Sequence, residues 1–284
     1  PSHRGERPHG RRIKNVCLGS RQQSRQKRLN QTEWTVEVDV HDPLGIGDVI
    51  HGRGVAQIIK SRNPKWREGD LVQGQMGWQT YKVSAMTPQE KFFPMPKNGL
   101  PAALGSGVLG MTGLSAYAGL FPTGEPRKGD LMVLSGAAGG VGSMVSQIAA
   151  NVVGCDVVGI AGGSDKCAFV RDHGCSAAID YKNENLVERL DALRPDGIDL
   201  YFDNVGGEHF DAALATSKEW ARFAICGMID VYNDFKAQPM QYLPMIIGKR
   251  IMIKGFLYPD FYAQVPEFNA DMAGLIQSGA VKGR

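Results

Sequence analysis

The chain is poor in the groups from which metal, disulfide and nucleophile sites are usually built. Its five cysteines (Cys17, Cys155, Cys167, Cys175 and Cys226) include no closely spaced pair. This excludes a Cys-x-x-Cys redox motif or a zinc knuckle, and reduced thiols in a cytoplasmic setting are expected. None of the six histidines (His3, His9, His41, His51, His173 and His209) lies in a Gly-His-Glu segment. A zinc site needs convergent His, Cys or Glu ligands, so no metal is expected. No Gly-x-Ser-x-Gly follows a strand pattern, which excludes a nucleophile elbow. No Gly-Lys-Ser/Thr follows the glycine-rich stretch, which excludes a P-loop. The first thirty residues lack aromatic side chains and an apolar run. The first lack removes stacking groups for single-stranded nucleic acid, and the second removes a secretory signal.

Charge is unevenly spread. The net charge of +3 hides nine Lys/Arg against one acid in residues 1–30, leaving 23 basic and 28 acidic side chains in the rest. The body is mildly acidic behind a basic arm, which the composition predicts to be poorly ordered; nucleic acid is not expected as a partner. Two uncharged stretches, 98–124 and 131–155, are long enough to span a bilayer. Both are rich in glycine, and the first contains Pro101 and Pro122. They read as buried segments of a soluble domain, not as membrane spans.

What is present is a change of pattern along 284 residues. From Trp34 onward, Thr35–Val40 alternates apolar and polar, as a half-exposed strand does. Further apolar runs at 49–50, 55–59, 71–72 and 81–83 are separated by Gly, Pro, Asn and Asp, a turn-rich β unit that closes near Pro94-Met95-Pro96. Beyond residue 125, short apolar runs alternate with helix-length segments. Strands are predicted at 130–135, 156–160, 177–180, 198–202, 221–226 and 250–256. Helices are predicted near 140–151, 164–173, 184–193, 207–217, 238–248 and 264–279. Such alternation implies βαβ crossovers and an α/β fold with a doubly wound, six-stranded parallel sheet.

The strongest chemical signal follows the first of those strands. Gly136, Gly139 and Gly142 form a G-x-x-G-x-x-G turn between a strand and a helix. Glycines there permit a tight turn and close approach of backbone to a pyrophosphate, which the helix N-terminus then attracts. The next strand, Val157–Ala161, ends in Gly162-Gly163-Ser164-Asp165-Lys166. Small residues leave room for a 2′-phosphate and Lys166 offers a charge for it. Asp165 could instead serve a ribose, as in NAD sites, and Lys166 could be a solvated helix residue.

Several segments occur in a telling order: SGAAGGVGS (135–143), VVGIAGGSDKC (157–167), AAIDYK (177–182), DLYFDNVGG (199–207), CGMIDVYN (226–233) and KGFLYPDF (254–261). In these, over about residues 43–284, the chain resembles the zinc-independent branch of the medium-chain dehydrogenase/reductase superfamily that holds alkenal double-bond, prostaglandin and curcumin reductases. Behind the basic tail at 1–33, the resemblance implies a GroES-like β-rich substrate domain at 34–109, an NADP-binding Rossmann domain at 110–257 and a return segment at 258–284. The fold is expected to be incomplete at both ends, because a Leu-Asp-Pro-Tyr-Met segment and closing strands are not found.

By the same resemblance, Gly139, Gly140, Val141, Gly142 and Ser143 hold the pyrophosphate, and Lys166 with Tyr181 binds the 2′-phosphate. Asn204, Cys226, Gly227, Phe256 and Leu257 lie along the nicotinamide half of NADP(H). Trp78, in GWQTY, Tyr232 and Tyr258 face the substrate, and Ser115 stands where a threonine is usual. The implied reaction reduces the double bond of an enone or enal without a metal, with Tyr232 as the donor to the developing enolate oxygen. A quinone reductase and a non-catalytic NADPH-binding protein remain the alternatives, and a homodimer is expected.

Overall fold

The computed structural model describes residues 25–28, 35–38, 44–97, 99–232 and 240–283. The chain divides into two compact units, Pro1–Met95 and Pro96–Arg284. Residues 1–24 of the basic arm, and Asp39 and Val40 of the alternating run, lie outside the described residues.

In the first unit, β1 (Arg25–Arg28) pairs antiparallel with β2 (Thr35–Val38). A separate antiparallel sheet has the order β3 (Arg53–Gln57), β4 (Leu71–Gln75), β5 (Phe93–Pro94). Its small core gathers Ile58, Val72 and Met95. The runs at 49–50 and 81–83 form no strands. Ile50, Tyr81 and Val83 are exposed, so these apolar side chains have no buried face to hold them in register.

The second unit opens with α1 (Met111–Ala118) and then alternates: β6 (Leu131–Leu134), α2 (Gly140–Ile148), β7 (Asp156–Ala161), α3 (Ser164–Asp172), β8 (Ala177–Asp180), α4 (Leu186–Leu193), β9 (Ile198–Asp203), α5 (Gly207–Thr216), β10 (Ser217–Ile225), α6 (Met245–Gly248), β11 (Met252–Gly255) and α7 (Val265–Gln277). Six strands form one parallel sheet in the order β11-β10-β9-β6-β7-β8. From β6 the order runs one way through β7 to β8 and the other way through β9 and β10 to β11, so the right-handed crossovers usual in parallel sheets put helices on both faces.

The strands form here because they can be buried on both sides. Met132, Val133, Leu134, Val158, Ile160, Ile179, Leu200, Tyr201 and Phe202 have no exposed surface, and each such aliphatic side chain contributes about 1.5–3 kcal/mol. α4 is anchored by Leu186 and Leu190, one turn apart, and begins at Asn185, whose side chain accepts the Glu188 N–H at 3.1 Å.

Two elements differ from expectation. β10 begins at Ser217, four residues early, with its register shifting between Ser217 and Arg222 and Trp220 at φ +62°. The described part of the helix expected at 238–248 is only the single turn of α6, preceded by Pro244. Proline disfavours helical backbone in the residue before it, which stops a helix from running through Leu243.

Residues 96–109 and 258–284 group with the second unit. Gln147 of α2 accepts the Lys282 N–H at 2.8 Å, and Asn151 donates to the Ala280 carbonyl at 2.8 Å. Among the described residues no helix is long and apolar enough to cross a membrane.

Candidate functional site

β6 occupies the position where strand order reverses, between β9 and β7. Ligands of open α/β sheets enter the crevice at such a switch point, outside the carboxyl ends of the strands. Here the chain leaves β6 through Ser135 into Gly136, which sits at φ +58°. A β-carbon on Gly142 would fall 2.3 Å from the Gly136 carbonyl oxygen and 2.8 Å from Ala137 Cα. No side chain fits. α2 then starts with Gly139 as its N-cap, without a side-chain cap bond, and Gly139 and Gly140 are exposed. The turn therefore leaves an open helix N-terminus backed by bare backbone, where the oxygens of a pyrophosphate can accept N–H bonds.

The opposite wall is β9. Fully buried Asp203 accepts from Ser135 Oγ at 2.7 Å, Tyr201 OH at 2.9 Å, and the Val205 and Gly206 N–H groups at 2.9 Å each, all on Oδ1. Asn204 donates its N–H to Ser135 Oγ at 2.8 Å and its side-chain amide to the Ser135 carbonyl at 2.9 Å. The two strand ends are thus locked together at the crevice. Ser135 and Asp203 were not singled out from sequence; a polar residue ending each of two apolar strands was the available signal.

The turn after β10 closes the next side. Cys226 and Gly227 donate backbone N–H groups to the Asp203 carbonyl, and Ile229 donates to that of Asn204. Burial, with the Asp203 charge behind it, pushes the Cys226 thiol up to about 12, so it is no thiolate nucleophile. Tyr232 is 58% exposed, and its hydroxyl accepts the Met228 N–H at 3.2 Å. That oxygen would lie 2.9 Å from a β-carbon on Gly227. Because it accepts from Met228, the phenol keeps its own proton to donate.

Phe256 reaches this turn by its backbone, donating N–H to the Ile225 carbonyl at 3.2 Å. Its ring faces elsewhere, edge-on to Phe202 and Phe261 and against Gly119. What Phe256 can offer a ligand is therefore main chain. Leu257 is exposed, and Tyr258 meets Tyr262 edge-on.

A second cluster lies at the ends of β7 and β8. A β-carbon on Gly162 would fall 2.8 Å from Tyr181 Cε1 and 3.0 Å from Lys182 Cε, so both side chains lie over the Gly162 turn. Lys166 is exposed in the first turn of α3. Tyr181 meets buried His209 edge-on at 4.8 Å, and burial holds that imidazole below its usual range. Trp78 belongs to the other unit, where it is 76% exposed and its indole lies 2.7 Å from the β-carbon position of Gly52.

Among the described residues no group of three or more His, Cys, Asp or Glu is placed to hold a metal ion. The family described as zinc-binding dehydrogenase matches residues 140–276, and that described as N-terminal domain of oxidoreductase matches residues 28–92. The residues described do not supply ligands for the zinc in the first description.

Relatives are substantial. The 2-alkenal reductase (NADP(+)-dependent) of Nicotiana tabacum is 39% identical over 237 residues, 83% of this chain and 68% of its own. The NADPH-dependent curcumin reductase of Escherichia coli (strain K12) is 35% identical over 246 residues, 84% of this chain and 70% of its own. The crystal structure of CurA in complex with NADPH from Vibrio vulnificus superimposes with a TM-score of 0.75 at 34% identity, covering 90% of this chain and 74% of its own. The quinone oxidoreductase of Escherichia coli complexed with NADPH has a TM-score of 0.66 at 19% identity over 83% of this chain and 72% of its own, a likeness of fold.

Proposed function

This chain belongs to the medium-chain dehydrogenase/reductase family, in the branch of alkenal, prostaglandin and curcumin reductases, and from that premise we propose that it is an NADPH-dependent reductase of activated carbon–carbon double bonds. The observation that carries the reading is the Gly136–Gly142 cradle, in which Gly142 leaves no space for a β-carbon and which opens at the switch point between β6 and β9. Gly139, Gly140, Val141, Gly142 and Ser143 would take the pyrophosphate, and Asn204, Cys226, Gly227 and the main chain of Phe256 and Leu257 would flank the nicotinamide half. When bound, the cofactor supplies a hydride for the β-carbon of an enal or enone. The protein's part is to orient, to exclude water and to meet the charge that develops on the carbonyl oxygen.

Tyr232 is the donor proposed for that oxygen. Its hydroxyl is anchored by the Met228 N–H and keeps its own proton. Tyr232→Phe is expected to lower turnover on an enone by less than the ~10²–10³-fold typical of losing one such donor, since a ribose hydroxyl is a second donor. NADPH affinity should hold. Unchanged turnover in steady-state kinetics would return Tyr232 to the pocket wall, beside Tyr258.

NADP(H) is favoured over NAD(H) by the small residues at Gly162-Gly163-Ser164 with Lys166 and Tyr181 beside them. Lys166→Ala should weaken NADPH by about 10–100-fold, the loss of one charge-assisted contact. NADH binding should be unmoved, and an equal effect on both in titration calorimetry would contradict the assignment.

The Pro1–Met95 unit, with Trp78, is read as the substrate domain. A homodimer is supported by β11, an edge strand of the sheet that exposes Met252 and Ile253, with Trp220 and Ile247 of the same unit also exposed. A cytoplasmic setting agrees with unpaired Cys155, Cys167, Cys175 and Cys226. The deciding experiment follows NADPH consumption with an enone against a quinone. Faster turnover of the enone supports the reading, quinone preference replaces it with a quinone reductase, and cofactor binding without turnover on either removes the catalytic claim.

A further inference from the structure

We infer that Asp180 is a positioning residue for the 2′-phosphate seat, its carboxylate fixing the distance between the turn that leads to Lys166 and the turn that carries Tyr181. The inference rests on the reading of Lys166 and Tyr181 as the 2′-phosphate contacts. Asp180 is the last residue of β8. Its Oδ1 accepts the Gly163 N–H at 2.8 Å, across from the neighbouring strand's exit. The same oxygen accepts the Lys182 N–H at 3.2 Å, and Oδ2 accepts the Asn183 side-chain amide at 2.8 Å. Its own N–H donates to Glu184 Oε2 at 3.0 Å. One side chain thus ties the turn after β7 to the turn after β8.

The Gly163 bond matters most for recognition. Gly163 is the N-cap of α3, at φ +95°, and has no capping side chain of its own. Asp180 holds the cap residue from outside, and with it the first turn of α3 in which Lys166 stands. On the other side, Tyr181 and Lys182 follow Asp180 directly, and their side chains lie over Gly162, where a β-carbon would fall 2.8 Å from Tyr181 Cε1 and 3.0 Å from Lys182 Cε. The two turns are thus joined by the Asp180–Gly163 bond on one side and by these side chains on the other.

A carboxylate beside a phosphate site is at first sight the wrong charge. Its lone pairs, however, are taken by Gly163, Lys182 and Asn183, which spreads its charge into the protein. These bonds, Gly163 first and then Asn183, hold its acid below the usual carboxylate range. Asp165 is the acid nearest this turn in sequence, whereas Asp180 lies 17 residues beyond Gly163 and meets it only in the fold.

The test is calorimetric titration of the full chain with NADPH and with NADH, which share every group except the 2′-phosphate. Asp180→Ala is expected to weaken NADPH about tenfold, one charge-assisted bond's worth of alignment, and to leave NADH unchanged. Asp180→Asn, which keeps an acceptor facing Gly163, should restore most of the NADPH affinity. Equal losses for both cofactors, or no loss for either, would overturn the proposal. If Asp180→Ala does not fold, Asp180→Glu carries the test. It keeps the charge but moves it by one methylene, and only an NADPH-selective loss agrees with the inference. Lys166→Ala is measured alongside. Selective loss there without one at Asp180 sinks the Asp180 role alone, whereas no selectivity at Lys166 sinks the phosphate reading beneath it.

Discussion

Gly142→Ala is expected to weaken NADPH and NADH alike, by roughly 100-fold or more, the affinity equivalent of about 2.7 kcal/mol. The added β-carbon would sit 2.3 Å from the Gly136 carbonyl oxygen and 2.9 Å from that of Ala137. Both are backbone atoms that no rotamer change can move. Gly136 is itself held at φ +58°, with Asn204 and Val205 close against it, so it cannot yield outward. The strain must be taken by the start of α2, whose exposed N–H groups are the ones a pyrophosphate would use. Overpacking of this kind costs about 1–3 kcal/mol in stability by itself, and the displaced N–H groups add the loss in binding. Titration with both cofactors and a thermal melt check it. Because the pyrophosphate is common to both, the effect should be unselective, unlike that of Lys166→Ala. Retained affinity in a folded variant would take the cradle out of cofactor binding.

Asp203→Ala is expected to lower the stability of the Pro96–Arg284 unit by roughly 3–5 kcal/mol, since several buried donors lose their acceptor at about 1–3 kcal/mol each. The donors are Ser135 Oγ, Tyr201 OH and the Val205 and Gly206 N–H groups, and Asp203 has no exposed surface through which water could replace it. For a unit of this size the melting temperature should fall by roughly 6–20 °C. Asp203→Asn should cost less. It keeps an acceptor at Oδ1 but puts an amide at Oδ2, which has no partner among the described residues, at about 1–3 kcal/mol for a buried unpaired donor. Thermal and urea unfolding of both variants order them. Equal stability of Asp203→Ala and the parent would mean that the Ser135 and Asn204 bonds hold the crevice unaided.

The centre of the sheet was legible because β6, β7 and β9 are buried on both faces and so read as unbroken apolar runs bounded by turns. Leu131–Leu134 and Val157–Ile160 leave little else for the chain to do. Ser217–Trp220 escaped that reading because Lys218 and Glu219 are polar and the register breaks before Arg222. In the Pro1–Met95 unit, runs of two or three apolar residues carried too little pattern to separate strand from exposed loop. The glycine turn was legible for a steric reason, since few other roles demand three glycines between a strand and a helix. The Ser135–Asp203 bond was not, because its partners are 68 residues apart and each alone resembles any polar strand terminus. Phe256 shows the complementary limit. Its place after β11 was readable, but only the coordinates reveal that the ring turns inward to Phe202.

An enzyme that handles enals works among alkylating agents, since the same β-carbon that accepts a hydride also adds thiolates. The described cysteines are poorly disposed to that side reaction. Burial raises the thiols of Cys155, Cys167, Cys175 and Cys226, Cys226 to about 12, and Cys226 is the one beside the crevice. At neutral pH such a thiol stays protonated, and the thiol is a far weaker nucleophile than the thiolate. Burial, with the Asp203 carboxylate behind it, thus keeps the thiol beside the crevice protonated, which disfavours its alkylation by an enal substrate.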